Sequence, residues 1–154
     1  MQEVREISAG LGIPQIEALS LDAIISRVTR THEQVTGTSV HVTRPANLPD
    51  VCLSTKITVY RLAQEALNNA FQHAGGLGQH ITIMGDQQRL IIRIADQGPG
   101  FRPPEQKDWT RQLGLSGMRE RVESLGGEFT IDSRPSRGTV IIASLPCHTS
   151  QDVL

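Results

Sequence analysis

Residues 57–74 read ITVYRLAQEALNNAFQHA, and this stretch decides how the rest of the chain is read. At about 100° of rotation per residue, Val59, Leu62, Ala63, Ala66, Leu67 and Ala70 fall on one apolar stripe, so the segment is a helix with a buried face. Glu65, Asn69 and His73 recur every fourth residue and form a second stripe along one edge of the first. An acid, an amide and an imidazole in a row beside a buried face suit the wall of a site for a polar ligand and a metal. On this helix alone, the same row also fits a solvated edge with a local hydrogen-bond ladder. Ser54 or Thr55 is placed to cap the helix, and Gly75-Gly76 ends it.

Working toward the C-terminus, residues 81–84 and 90–95 read as two strands joined by a turn at 85–88. The second runs straight into Asp96-Gln97-Gly98-Pro99-Gly100, a D-x-G-x-G pattern. A carboxylate at the end of an apolar strand, followed by glycines, can meet a ligand at close backbone range. When ionised it accepts hydrogen bonds and donates none, which suits an amino group such as the exocyclic amine of adenine. By itself the pattern also describes an ordinary turn. Next, residues 113–127 read LGLSGMRERVESLGG, a helix over 114–125 closed by Gly126-Gly127. Gly114 and Gly117 flank its start, where free N–H groups and the macrodipole favour an anion such as phosphate. An ordinary glycine-containing helix start remains the alternative for this piece alone.

Upstream, Leu21, Ile24, Ile25 and Val28 recur at helical spacing within 20–35, with Ser20 as N-cap and Gly37 as the stop. Residues 4–9 suit the end of a helix that Gly10, Gly12 and Pro14 interrupt. Residues 38–43 alternate as a strand, 44–50 form a Pro-containing loop, and 128–132 with 139–145 make a closing strand pair. From Pro146 on, the chain reads as a tail. The order of elements predicts a two-layer α/β sandwich, with a mixed sheet of about five strands and three main helices, and not a doubly wound parallel sheet. The expected domain spans 20–147, with 1–19 an upstream linker or helix and 148–154 a tail.

Composition agrees. The 154 residues are 38% hydrophobic, 20% charged and only 3% aromatic, so one domain with an aliphatic core is expected. Fifteen basic against 16 acidic residues leave a net charge of -1, which argues against a nucleic-acid partner. No apolar run reaches the roughly 18 residues of a membrane span, and no signal-peptide pattern opens the chain. Cys52 and Cys147 make no metal or disulfide pattern and read as free thiols of a reducing cytosol.

Taken together and in this order, the polar-striped helix, the D-x-G-x-G strand end, a loop, the G-L-x-G-M helix and Gly138-Thr139 opening the last strand resemble the ATP-binding domain of the GHKL superfamily. That group includes gyrases, heat-shock chaperone ATPases, histidine kinases and mismatch-repair ATPases. ALNNAFQHA with GLSGMRERVESLGGEF is similar to sensor histidine kinases of the nitrate/nitrite-sensor type, from about Arg5 to Pro146.

The resemblance implies the Bergerat ATP-binding fold, with ATP and magnesium as cofactors. It implies that Asn69 ligates the magnesium ion through its side-chain oxygen, which suits a hard cation with few protein ligands. Glu65 matches the acid that polarises water in the ATPase members, and His73 a basic position near the phosphates; these are the candidate catalytic residues. Asp96 matches the adenine-reading aspartate, Gly98 and Gly100 its turn, and Thr139 a threonine supporting adenine through water. Gly114, Leu115 and Gly117 match the phosphate-binding helix start, and residues 101–113 the lid over the nucleotide. Trp109 in that lid reads as a packing or surface residue. One departure is Gln112, where many relatives have glycine.

The resemblance further implies a kinase that donates the γ-phosphate of ATP to a histidine on a separate dimerisation domain, serving a response regulator indirectly. His32-Glu33 superficially resembles a phosphoacceptor pair, but it lies against Gly37 with no room for a helical hairpin. The expectation is therefore a cytoplasmic catalytic fragment, monomeric when isolated, of a larger membrane-anchored sensor kinase. Two alternatives are a stand-alone anti-sigma-factor serine kinase and a degenerate nucleotide-binding module. GMRERVESLGGEF speaks against the first, and intact Glu65, Asn69, Asp96 and Gly117 against the second.

Overall fold

A computed structural model of the chain describes residues 12–98, 113–133 and 136–147, with residues 113–116 described by backbone alone. Gly100, the lid segment 101–112 with Trp109 and Gln112, residues 4–9 and the tail from His148 lie outside these residues. Among the described residues, four helices and five strands follow in the order α1 (Ile13–Ala18), α2 (Leu21–Thr36), β1 (Val40–Thr43), α3 (Leu53–Ala74), β2 (Gln79–Gly85), β3 (Arg89–Asp96), α4 (Leu113–Ser124), β4 (Glu128–Ser133) and β5 (Thr139–Pro146).

The strands form one sheet in the order β1-β2-β3-β5-β4. β1 runs parallel to β2, while the other pairs are antiparallel, so the sheet is mixed as expected. Alternation puts Ile81, Ile83, Leu90, Ile92, Ile94, Ile141, Ala143 and Leu145 on one face, all buried. That face packs against α3 and α4, and α2 packs in turn on α3. The helices bury Leu21, Ile24, Ile25, Val59, Leu62, Leu67, Met118 and Val122 against the sheet and each other, giving the aliphatic two-layer core. No described helix is long and apolar enough to cross a membrane.

Several details differ from the sequence reading, three of them at element ends. α3 starts at Leu53 with Cys52 as its N-cap, so neither Ser54 nor Thr55 caps it; both hydroxyls instead lie near the Cys52 sulfur, at 3.3 and 3.5 Å. Burial pushes the Cys52 thiol up, but hydrogen bonds from Ser54 and Thr55 outweigh it and leave the thiol below its ordinary value. Gly12 and Pro14 do not merely break a helix; they start α1. Proline is tolerated in a first turn, and the Gln15 side chain accepts the Gly12 N–H at 2.6 Å. Finally, Pro146 is no tail residue: it closes β5 opposite Arg89.

Candidate functional site

α3 carries its apolar stripe into the core, with Val59, Ala63 and Leu67 fully buried. Glu65 and Asn69 are half-buried along the edge of that stripe, and His73 is exposed in the last turn. The helix ends in a left-handed Gly75, and residues 75–78 turn the chain back alongside the end of β3. There the Gln97 N–H donates to the Leu77 carbonyl at 2.8 Å. Gly98 sits against the last residue of the helix: a Cβ at 98 would fall 2.0 Å from the Ala74 Cβ. The helix bearing Asn69 and the loop after Asp96 are thus fixed to each other by a backbone bond and a contact that admits only glycine.

Asp96 closes β3 on the helix-covered face. One carboxylate oxygen accepts the Gly98 N–H at 2.9 Å, an Asx-type turn that fixes the side chain. Burial pushes its carboxyl above the ordinary range, while the Gly98 and Thr139 amides and attraction to His73 pull the other way and lose. Opposite Asp96 stands Thr139, the first residue of β5, buried. Gly138 precedes it at φ 77°, and a Cβ there would lie 2.2 Å from the Asp96 carbonyl oxygen. This close approach in a left-handed conformation is why glycine stands before Thr139.

The structure also brings in a residue that the sequence reading left out. Ser133 closes β4 opposite Thr139, and the two hydroxyl oxygens are 2.8 Å apart in a buried pair. Its signal in the sequence was alternation: on the same face as buried Phe129, a serine at the strand end needs a polar partner. The strand was expected to stop one residue short of it.

α4 starts at Leu113, so Gly114 is its second residue and Leu115 its third. The amides without intrahelical partners are those of this first turn. Gly117 does not flank the start as expected; it lies in the second turn, half-buried, with open space where its side chain would be except for Arg121 at 3.8 Å. His32 is also placed differently from a phosphoacceptor. Its Nε2 lies 2.8 Å from Gln79 Oε1, and its ring packs edge-on to Phe71. Because the Gln79 amide donates to Thr38 Oγ1 and the Ser39 carbonyl, its oxygen faces His32, which therefore donates from Nε2.

For magnesium, the donor set matters. Among the described residues no group of three or more His, Cys, Asp or Glu could cage a metal. An ion that keeps waters and takes substrate phosphates needs only one or two protein oxygens, and the half-buried Asn69 amide could supply one. The site fits such an ion. For a nucleotide base, the acceptor-only Asp96 and the glycine-lined loop beside it fit an amine-bearing ring.

Residues 54–149 match the family described as histidine kinase-, DNA gyrase B-, and HSP90-like ATPase, and the chain belongs to it. It is 33% identical over 154 residues to the signal transduction histidine-protein kinase/phosphatase DegS of Brevibacillus brevis, covering 98% of this chain and 39% of that protein. It is 31% identical over 148 residues to the oxygen sensor histidine kinase NreB of Staphylococcus carnosus (strain TM300), covering 95% of this chain and 42% of that one. The chain therefore spans about two fifths of the length of these relatives. The histidine kinase domain of the blue-light activated histidine kinase of Erythrobacter litoralis superposes with a TM-score of 0.67 at 25% identity, covering 88% of this chain and 64% of that one.

Proposed function

We propose that this chain is the catalytic ATP-binding domain of a sensor histidine kinase, which holds magnesium-ATP and donates the γ-phosphoryl group to a histidine on a helical dimerisation domain of the same kinase. The observation that carries this reading is Asp96. It is a partly buried carboxylate, held by backbone amides and tied to the helix that bears Glu65, Asn69 and His73. A carboxylate accepts the adenine amine, and Thr139 stands beside it. Asn69 would hold the magnesium ion, which neutralises phosphate charge when bound. Glu65 and His73 lie one turn to either side of Asn69, an acid and a base at the phosphate end. The first-turn amides of α4, at Gly114 and Leu115, are the phosphate-facing donors, and Gly117 keeps the following turn open.

The chemistry left to the protein is positioning. A bond forms between an imidazole nitrogen and the γ-phosphorus as the bridging oxygen leaves with its electron pair on ADP, the groups held in line. The phosphohistidine then serves a response regulator that this chain meets only indirectly. In this reading the chain works in the cytoplasm as part of a membrane-anchored kinase, and alone it is a monomer.

The test is calorimetric titration with ATP, with and without magnesium, followed by incubation with labelled ATP and a separately produced histidine-bearing helical domain. Acid-labile label on that domain is expected. Absence of ATP binding in the presence of magnesium would overturn the reading.

A further inference from the structure

Asp96, Thr139 and Ser133 stand side by side across three neighbouring strands, β3, β5 and β4, on the helix-covered face. Thr139 and Ser133 are 7% and 3% exposed, so both hydroxyls are buried and bond within the protein. Ser133 Oγ is 2.8 Å from Thr139 Oγ1 but 3.4 Å from the Gly138 carbonyl. The shorter distance is that of a well-formed O–H···O bond, the longer that of a weak one.

We propose that Ser133 is a positioning residue of the nucleotide site, whose hydroxyl donates to Thr139 Oγ1 and thereby turns the Thr139 proton toward Asp96 and the base. The inference rests on the nucleotide-binding reading and adds a determinant of base choice to it. A hydroxyl has one proton and can present it or a lone pair. If Thr139 gave its proton to Ser133, it would face the site as an acceptor beside an Asp96 that is also only an acceptor. With Ser133 donating, the pair presents one acceptor, Asp96, and one donor, Thr139. Adenine shows the complement, an amine beside a ring nitrogen lone pair. Guanine shows the reverse, a carbonyl beside a ring N–H. Ser133 therefore sets the sense in which the site reads a purine edge without touching the base itself.

The test compares ATP and GTP affinities of the whole chain by calorimetry, with thermal melting as the folding control. Ser133→Ala frees the Thr139 hydroxyl to rotate. ATP affinity is expected to fall roughly three- to tenfold, the range of one neutral hydrogen bond, while GTP affinity falls less, so that discrimination narrows. Ser133→Cys keeps the shape with a weak donor and should show the same narrowing, which preserves the test if the alanine variant does not fold. In a Thr139→Val background, removing the Ser133 hydroxyl should have no further effect, because Ser133 acts through Thr139. An unchanged ATP-to-GTP ratio in both Ser133 variants, or an equal loss in the Thr139→Val background, would overturn the proposal while leaving ATP binding by the unmutated chain intact. An unmutated chain that binds no ATP would remove the parent reading and this one together.

Discussion

The Cα of Gly98 faces Ala74 so closely that a side chain at 98 would place its first carbon 2.0 Å from the Ala74 Cβ and 2.8 Å from its Cα. The last residue of the long helix and the turn after Asp96 thus share one wall. The helix sets the position of Asn69 and the turn sets that of Asp96, so this contact fixes the span between the two proposed ends of the nucleotide site.

Gly98→Ala is accordingly expected to damage both stability and binding. The methyl must push the loop off the helix, and overpacking of this kind costs about 1–3 kcal/mol. In a domain of this size each kcal/mol lowers Tm by roughly 2–4 °C. The same shift breaks the Gly98 N–H bond to Asp96, so ATP affinity should fall at least about tenfold, one to two kcal/mol of lost interaction. Ala74→Gly removes one of the two clashing atoms and should restore part of the Tm. A Gly98→Ala chain that melts and binds ATP as the unmutated one does would refute the shared wall.

Asp96→Asn is expected to weaken ATP binding while leaving the apo fold as stable as before or more so. The amide still accepts the Gly98 N–H through its oxygen. It turns an NH₂ toward the adenine amine, so donor faces donor, a loss of about 1–3 kcal/mol or roughly five- to a hundredfold in affinity. For apo stability, burial raises the folded-state pKa of Asp96 above its unfolded value. Such a group contributes stability below its unfolded pKa, and that contribution is lost as pH rises through the folded value. At pH 7 the buried charge is thus a burden that asparagine removes, so Tm should not fall. The unmutated chain should lose ATP affinity as pH drops, starting above the ordinary aspartate range, because only the ionised carboxylate accepts without donating. Melting curves with calorimetry at pH 7 and pH 5 check both signs.

Asn69→Ala is expected to spare binding of metal-free nucleotide and to abolish the gain that magnesium brings. Asn69 is half-buried at the edge of the helix stripe, while Ala66 and Ala70 beside it carry the packing, so the fold should hold within about 0.5 kcal/mol. Titration of ATP with and without magnesium reads the difference. If magnesium strengthened binding in the variant as much as in the parent, Asn69 would not be the ligand.

The helices with a sharp apolar stripe were the legible parts. Ser20 caps α2 through an oxygen that accepts the Ala23 N–H, and Gly37 stops it in a left-handed conformation, both as the sequence predicts. The sheet was legible from alternation, because one face meets helices and the other does not. The start of α3 was not legible: a cysteine at the N-cap carries no strong propensity, and Ser54 and Thr55 next to it do. Spacing alone put Glu65, Asn69 and His73 along one edge of one helix, while the roles proposed for them came from the family resemblance. Ser133 did not, because its meaning depends on β4 pairing with β5 in one particular register, which no local pattern states. The contact of Gly98 with Ala74 was hidden for the same reason, since it joins two segments 24 positions apart, 98 minus 74.

The chain itself should bind ATP and retain no acid-labile phosphate on any described histidine. His32 donates its Nε2 proton to Gln79 and packs on Phe71, so attack through this nitrogen would need it stripped of its proton and the ring pulled away from β2 and α3. His41 and His80 stack edge-on at 4.7 Å on the sheet face turned away from the helices, the opposite face from Asp96, although His80 pairs with the neighbouring Ala95. Partial desolvation and repulsion from His41 and Arg93 hold His80 below its ordinary pKa, but it stays on the wrong face. His73 is on the site side but lies on the same rigid helix as Asn69, one turn away, and cannot swing to the far side of a γ-phosphate held there. In-line transfer needs the nucleophile opposite the leaving oxygen, and none of these four rings is expected to take that position. His32→Ala should lower Tm through the lost bond, about 1 kcal/mol or a few degrees, and leave labelling at zero. Acid-labile label on the isolated chain, mapped by mass spectrometry to His32 and absent from His32→Ala, would show that α2 carries an acceptor after all.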